Sequence, residues 1–172
     1  MQPKFSIILP TYNRSYVLWK AIQSVVDQTI NSWELIIVDD GSTDATKRMV
    51  EEFHDPRIQY FRTTNNGPSA ARNLGISKAV APLIAYIDSD NSWDQDFLKT
   101  MSKNIRENNR DVLWYCGQIT TYWERTKKGE CSKIKVKETT RKQYRLKDVM
   151  ALKGADTNCI VHRKEVASEI GG

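Results

Sequence analysis

The feature that most constrains this chain is a series of short apolar runs, each ended by a polar cluster and followed by an amphipathic stretch. Residues 4–9 (KFSIIL) stop at Pro10, and Trp33 to Val38 (WELIIV) runs into Asp39-Asp40-Gly41-Ser42. Ile58 to Phe61 leads to a loop with Asn65-Asn66-Gly67-Pro68, and Leu83 to Ile87 leads to the polar Asp88 to Asn91. Such runs, bounded by turn residues, read as buried strands. Between them the period changes. Leu18, Ile22 and Val25 share one helical face, seconded by Ala21 and Val26, with Ser15 as cap. Asp44 to Phe53, capped by Ser42 or Thr43, and the Ala- and Arg-rich Ser69 to Ala79 also read as helices, as does Asp94 to Asn108. This alternation predicts an α/β fold: a Rossmann-like, mostly parallel sheet flanked by helices on both faces, with right-handed crossovers.

After about residue 111 the rhythm changes. Val112 to Tyr115 reads as a strand, and Gln118 to Trp123 alternates Thr with aromatics. A basic stretch follows as a hairpin or loop, then a short helix over Leu146 to Leu152, a strand over Asn158 to His162 and a helix over Arg163 to Ile170. A length of 172 residues suits one domain and is too short for two full ones. Mean hydropathy of −0.57, with 40% hydrophobic and 27% charged residues, excludes a disordered tail and a membrane bundle. The longest nearly apolar stretch, Ala79 to Ile87, is nine residues and contains Pro82; a spanning helix needs about 20. MQPKFSIILP has no leader pattern, so a cytoplasmic protein is expected. Cys116, Cys131 and Cys159 form no CxxC pair and read as plain thiols. His54 and His162 stand alone and read as structural or exposed.

The net charge of +5 is unevenly placed: Arg125 to Lys147 holds ten basic and two acidic residues, a local balance of +8, and the remainder is −3. This is a mildly acidic body with a basic segment and not a uniformly basic protein, which weakens a nucleic-acid reading. That reading would prefer basic residues interleaved with stacking aromatics; no nucleic-acid partner is expected. The stretch reads either as a solvated hairpin or as an attractor for an anionic surface, such as a membrane face or a lipid-phosphate substrate.

In open α/β sheets ligands bind beyond the carboxyl ends of the strands, and the polar residues collect there. Pro10-Thr11-Tyr12-Asn13-Arg14 follows the first strand, Asp39-Asp40 the second and Asp88-Ser89-Asp90 the fourth, with Arg72 on the helix entering that strand. Asp88 and Asp90, at i and i+2 in extended chain, point the same way and suit one Mg²⁺ or Mn²⁺. They suit a glycosidase pair less well, because those carboxyls must flank a bond. Asp39 and Asp40 could each accept from a ribose or base, Tyr12 could stack on a base, and Arg14 and Arg72 could meet phosphates or a base edge. Trp93 reads as a core or lid residue rather than a sugar platform. The chain has neither GxGxxG nor GxxxxGK[ST], so dinucleotide and P-loop sites are excluded.

PTYNR at 10–14, SVVDQT at 24–29, VDDGSTD at 38–44, NNGPSAARNLGI at 65–76, YIDSDNSW at 86–93 and CIVHRKEVASEIGG at 159–172 stand in that order. Together they resemble the family 2 glycosyltransferases, which have the A-type fold and use nucleotide-sugar donors. The resemblance implies that Pro10, Thr11, Tyr12 and Arg14 touch the nucleoside, that Asp40, with Asp39 beside it, serves the base, and that Arg72 faces the nucleotide. It implies Asp88 and Ser89 nearer the ribose or sugar, and Asp90, with Asp88, on Mn²⁺ or Mg²⁺. The implied donor is a nucleoside-diphosphate sugar, with a UDP-sugar the first choice. The acceptor would be a glycan or lipid-linked hydroxyl in cell-surface polysaccharide synthesis, and the reaction an inverting displacement. Localisation would be cytoplasmic, with peripheral contact at the inner membrane face through the basic stretch.

The family's general base follows a Gly-Gly-Phe-Asp-Glu-like stretch, so it is expected beyond Gly172; Asp156 precedes the Gly-Gly and does not match it. The expectation is therefore a single domain over 1–172, with a donor-binding half at 1–110 and a partial acceptor-side half at 111–172. Two alternatives stand beside it: a catalytically incomplete nucleotide-binding fragment, and a polyanion-binding module built on residues 125–147.

Overall fold

The structure is a computed structural model that describes residues 2–107, 113–115, 119–125, 131–138, 158 and 160–169. In chain order the elements are β1 (Phe5–Thr11), α1 (Leu18–Val26), β2 (Trp33–Asp39), α2 (Thr46–Glu51), β3 (Ile58–Arg62), α3 (Pro68–Lys78), β4 (Leu83–Tyr86), α4 (Phe97–Glu107), β5 (Leu113–Tyr115), β6 (Ile119–Arg125), β7 (Cys131–Glu138), β8 (Ile160–Arg163) and α5 (Lys164–Glu169). One sheet has the order β3-β2-β1-β4-β8-β5, and β6 pairs with β7 as a separate antiparallel ribbon. Strands β3, β2, β1 and β4 are parallel, whereas β8 runs antiparallel to both β4 and β5.

The central strands are buried on both faces, and alternate residues divide into two cores. Ile7, Leu9, Leu35 and Ile37 face one side with Leu18, Ile22 and Val25 of α1, Val50 of α2 and Phe97, Leu98 and Met101 of α4. Ile8, Ile36, Val38 and Ile84 face the other with Ala71 of α3. The parallel sheet covered on both faces is thus as expected. Among the described residues no helix is long and apolar enough to cross a membrane.

Several boundaries differ from expectation. β1 continues through Pro10 to Thr11 because the missing Pro N–H lies on the β4 side, where pairing ends at Ile8–Tyr86. On the β2 side Asp40 N–H still bonds the Thr11 carbonyl at 2.9 Å. α1 starts at Leu18 and not after Ser15, whose N–H donates instead to Asp44 Oδ2 at 3.0 Å. α2 starts at Thr46, with Asp44 Oδ1 rather than Ser42 or Thr43 accepting the Thr46 N–H. The helix expected over 146–152, Asp156 and the side chains of the three cysteines lie outside the described residues, as does all of 139–157.

SVVDQT ties α1 to the start of α4. The Gln28 amide donates to the Ser24 and Asp94 carbonyls and accepts Leu98 N–H, each within 3.0 Å. The Thr29 hydroxyl reaches Asp96 at 2.8 Å. Trp93 is a core residue, 6% exposed, packed on Phe97. His162 is also structural, lying against Tyr86 with its Nε2 2.7 Å from the phenol oxygen. His54 is exposed.

Candidate functional site

A cleft of about 370 Å³ opens beyond the carboxyl ends of β1, β2 and β4 and against the first turn of α3. Pro10, Thr11, Tyr12, Arg14, Asp40, Arg72, Asp88, Ser89 and Asp90 line it. Asn65, Gly67, Pro68 and Ala71 complete the wall.

The backbone explains the convergence. Asn13 takes a positive φ of 52°, turning the chain sharply out of β1. Its N–H donates to Ser42 Oγ and its Oδ1 accepts Thr43 N–H, both at 2.8 Å. The loops after β1 and β2 are thereby laced edge to edge. Asp40 is 4% exposed and fixes the third loop: its two oxygens accept the N–H groups of Asn66 at 2.9 Å and Gly67 at 2.7 Å. Such charge-assisted bonds are the stronger kind. Gly67 has a φ of 89°, which a side chain would strain, and it delivers Pro68 to the start of α3. That first turn has no side-chain cap and borders the cleft, and helix N-termini favour anions.

Arg72 donates to Asp88 Oδ1 at 2.7 Å, and Arg14 lies 3.9 Å from Asp90 Oδ2 while its other nitrogen donates to the Tyr16 hydroxyl at 2.6 Å. Tyr12 is 45% exposed, leaving its ring open for stacking. The Thr11 hydroxyl and Arg72 Nε are buried and make no hydrogen bond among the described residues. An unpaired buried polar group costs about 1–3 kcal/mol, so a ligand bringing oxygen and hydroxyl groups gains by pairing them.

Asp39 is a correction to the sequence reading. It is 1% exposed and does not line the cleft. Its Oδ1 accepts Ser42 N–H at 2.7 Å and its Oδ2 accepts the Tyr60 hydroxyl. Burial and this carboxylate together push the Tyr60 phenol well above its ordinary range. Asp88 reaches the cleft with both oxygens engaged, by Arg72 and by Asn158 Nδ2 at 3.0 Å. Asn158 gave no local signal in the sequence. The lacing residues Asn13, Ser42 and Asp44 stood in the sequence within the PTYNR and VDDGSTD motifs, Ser42 as a turn or cap residue and Asp44 as a helix start, with no sign that they pair across the loops.

The donor chemistry fits a hard divalent cation held largely by its ligand. Asp90 offers a carboxylate at the cleft, 35% exposed. Among the described residues no three His, Cys, Asp or Glu side chains stand close enough to hold one metal ion between them. Mg²⁺-type ions are commonly bound in this way, by one or two carboxylates plus substrate phosphates and water.

Residues 6–170 match the family model described as Glycosyl transferase family 2. The chain belongs to this family. Its relatives include an uncharacterized glycosyltransferase of Rickettsia felis, 40% identical over 128 residues, which are 74% of this chain and 20% of that protein. Another is the GalNAc(5)-diNAcBac-PP-undecaprenol beta-1,3-glucosyltransferase of Campylobacter jejuni, 35% identical over 66% of this chain and 38% of its own. The chain thus spans about a fifth of the length of the first of these relatives and less than two fifths of the second. S. aureus TarS 1-349 in complex with UDP-GlcNAc superposes with a TM-score of 0.74 at 20% identity, over 98% of this chain and 47% of that one. Mannosyltransferase PcManGT of Pyrobaculum calidifontis, in complex with GDP-Man and Mn²⁺, gives 0.69 at 18% identity, over 100% and 48%. These likenesses show the fold, and the expected A-type architecture is borne out.

Proposed function

We propose that this chain binds a nucleoside-diphosphate sugar in the cleft and supplies the donor side of an inverting sugar transfer to a glycan or lipid-linked hydroxyl. The observation that carries this reading is the meeting, in one cleft, of an open aromatic ring, two guanidinium groups and three acids drawn from four separate segments. The TarS and PcManGT structures, with UDP-GlcNAc and GDP-Man, support a nucleotide-sugar ligand. The Campylobacter relative, named for an undecaprenol-linked acceptor, supports a lipid-linked one.

In this reading Tyr12 stacks on the base and Asp40, held rigid by two backbone N–H groups, accepts from its edge. Asp88, set by Arg72, faces the ribose or sugar. Arg14 and the first turn of α3 offer positive potential to the diphosphate. Asp90 holds Mg²⁺ or Mn²⁺, which when bound stabilises the charge gathering on the leaving diphosphate. The +8 stretch supports attraction to the anionic lipid carrier or the inner membrane face, and with it a cytoplasmic protein at that surface.

Calorimetric titration with UDP and Mn²⁺, followed by transfer assays over a panel of donors, tests the reading. Saturable binding that weakens in EDTA is expected. A chain that binds no nucleoside diphosphate with or without metal defeats it.

A further inference from the structure

We propose that Asn158 is a positioning residue for the acidic loop of the donor site, a role that rests on the nucleotide-sugar reading above. Asn158 is 2% exposed and stands just ahead of β8. Its side chain closes on Asp88, 70 residues away along the chain, from two directions. Oδ1 accepts the Asp88 backbone N–H, and Nδ2 donates to Asp88 Oδ2 at 3.0 Å. Its own backbone carbonyl accepts the Trp93 indole N–H at 2.9 Å. Trp93 in turn is packed on Phe97, and its backbone N–H donates to Ser24 Oγ at 3.1 Å. Residues 88–93 are thus tied to one asparagine at both ends, with the turn between closed by Asn91 N–H on the Asp88 carbonyl at 3.0 Å. Asp90 lies between the two ties.

The pairing is specific to an amide. One planar group must accept an N–H and at the same time donate to a carboxylate. A carboxylate at 158 would take the N–H and repel Asp88; an aliphatic group would leave both partners unpaired. With Arg72 on Oδ1 and Asn158 on Oδ2, the rotation of the Asp88 carboxylate is fixed, and with it the start of the turn that carries Asp90. The donor site is therefore set by a residue from the segment leading into the antiparallel strand, outside residues 1–110. Partners behind a metal ligand commonly matter about 10–100-fold in metal affinity.

The test measures UDP affinity with Mn²⁺ and with EDTA for the wild-type chain, Asn158→Asp and Asn158→Ser, with circular dichroism as the check on folding. The gain in UDP affinity that Mn²⁺ confers is expected to fall about ten-fold or more in each folded variant. The EDTA affinity, which Asp88 also serves through the ribose, should fall by less. A merely structural role would lower both affinities together, and that result, or an unchanged gain, overturns the role of Asn158. Asn158→Ser adds no charge beside Asp88 and carries the comparison should the aspartate variant not fold. A wild-type chain that binds no UDP in either buffer overturns the donor-site reading itself. One that binds UDP equally in both overturns the placement of the cation at Asp90, and this role with it.

Discussion

Asp39 and Asp40 are neighbours with opposite duties, because successive side chains at a strand end point to opposite sides. Asp40 lines the cleft and steadies the 65–67 loop, whereas Asp39 is spent on Ser42 and Tyr60. Tyr60→Phe leaves one oxygen of a buried carboxylate without its donor, which costs about 1–3 kcal/mol. Urea denaturation should show that loss, and UDP affinity should not change; a weakened UDP affinity would return Asp39 to the donor site. Asp90 behaves in the reverse way. It is partly exposed and its ion pair with Arg14 is long at 3.9 Å, so it adds little stability. Asp90→Ala should abolish the Mn²⁺-dependent part of UDP binding while shifting stability by no more than about 0.5 kcal/mol. Unchanged affinity with and without metal would remove Asp90 from the site. The sequence made the acidic pair visible as a pair. That Asp39 is spent on Tyr60, a strand away, is something no local pattern encodes.

At the scale of elements, α3 governs the site because it carries Arg72 and ends its first turn at the cleft. Its seat on the sheet needs Gly75, where an added Cβ would stand 2.5 Å from Ile8 Cγ2 and 3.4 Å from Val38 Cγ2. Gly75→Ala sets a helix-propensity gain of about 1 kcal/mol against overpacking that costs about 1–3 kcal/mol. We expect net destabilisation in urea melts together with weaker UDP binding, as the helix lifts from β1 and carries Arg72 with it. Ile8→Ala in the same chain should restore part of the affinity by clearing the contact. A stabilised Gly75→Ala variant with normal affinity would show that the helix moves freely. The far end of α3 is held by Lys164, whose Nζ donates to the Ala79 carbonyl at 2.6 Å, a cation placed where the helix dipole favours one. Helix existence was legible from apolar spacing. The starts of α1 and α2 were not, because Ser15 and Ser42 give their local groups to Asp44 and Asn13 across the loops.

For the whole molecule the join that matters is β4 to β8, which brings the later chain onto the parallel sheet. His162 sits in that join, its Nδ1 donating to the Arg163 carbonyl and its Nε2 accepting from Tyr86. Burial holds the imidazole below its ordinary value of 6.5. The unfolded chain therefore takes up this proton at higher pH than the folded one, and the contribution is complete above about 6.5 and lost as pH falls below it. Asp44 and Asp55 are depressed below their ordinary 3.8 by hydrogen bonds, so their contribution holds above that value and is lost in a separate, more acidic step. Urea midpoints measured from pH 7 down to about pH 3 should fall first between pH 7 and pH 5 for the wild type, and His162→Gln should flatten that fall while the acid step remains. An equal slope in the variant would remove His162 as its cause.

The sequence by itself determined the α/β class, the four parallel strands, the amphipathic faces of the helices and the identity of the polar residues after each strand. These are local properties, set by side-chain period and turn chemistry within a few residues. Only the tertiary structure decided which acid was structural, what held the acidic loop, and how β8 entered the sheet antiparallel. Those outcomes rest on hydrogen bonds such as Tyr60 to Asp39, 21 residues apart, and Asn158 to Asp88, 70 apart. A buried donor and its acceptor must meet in space wherever they lie in the chain, and that requirement leaves no periodic trace in the sequence.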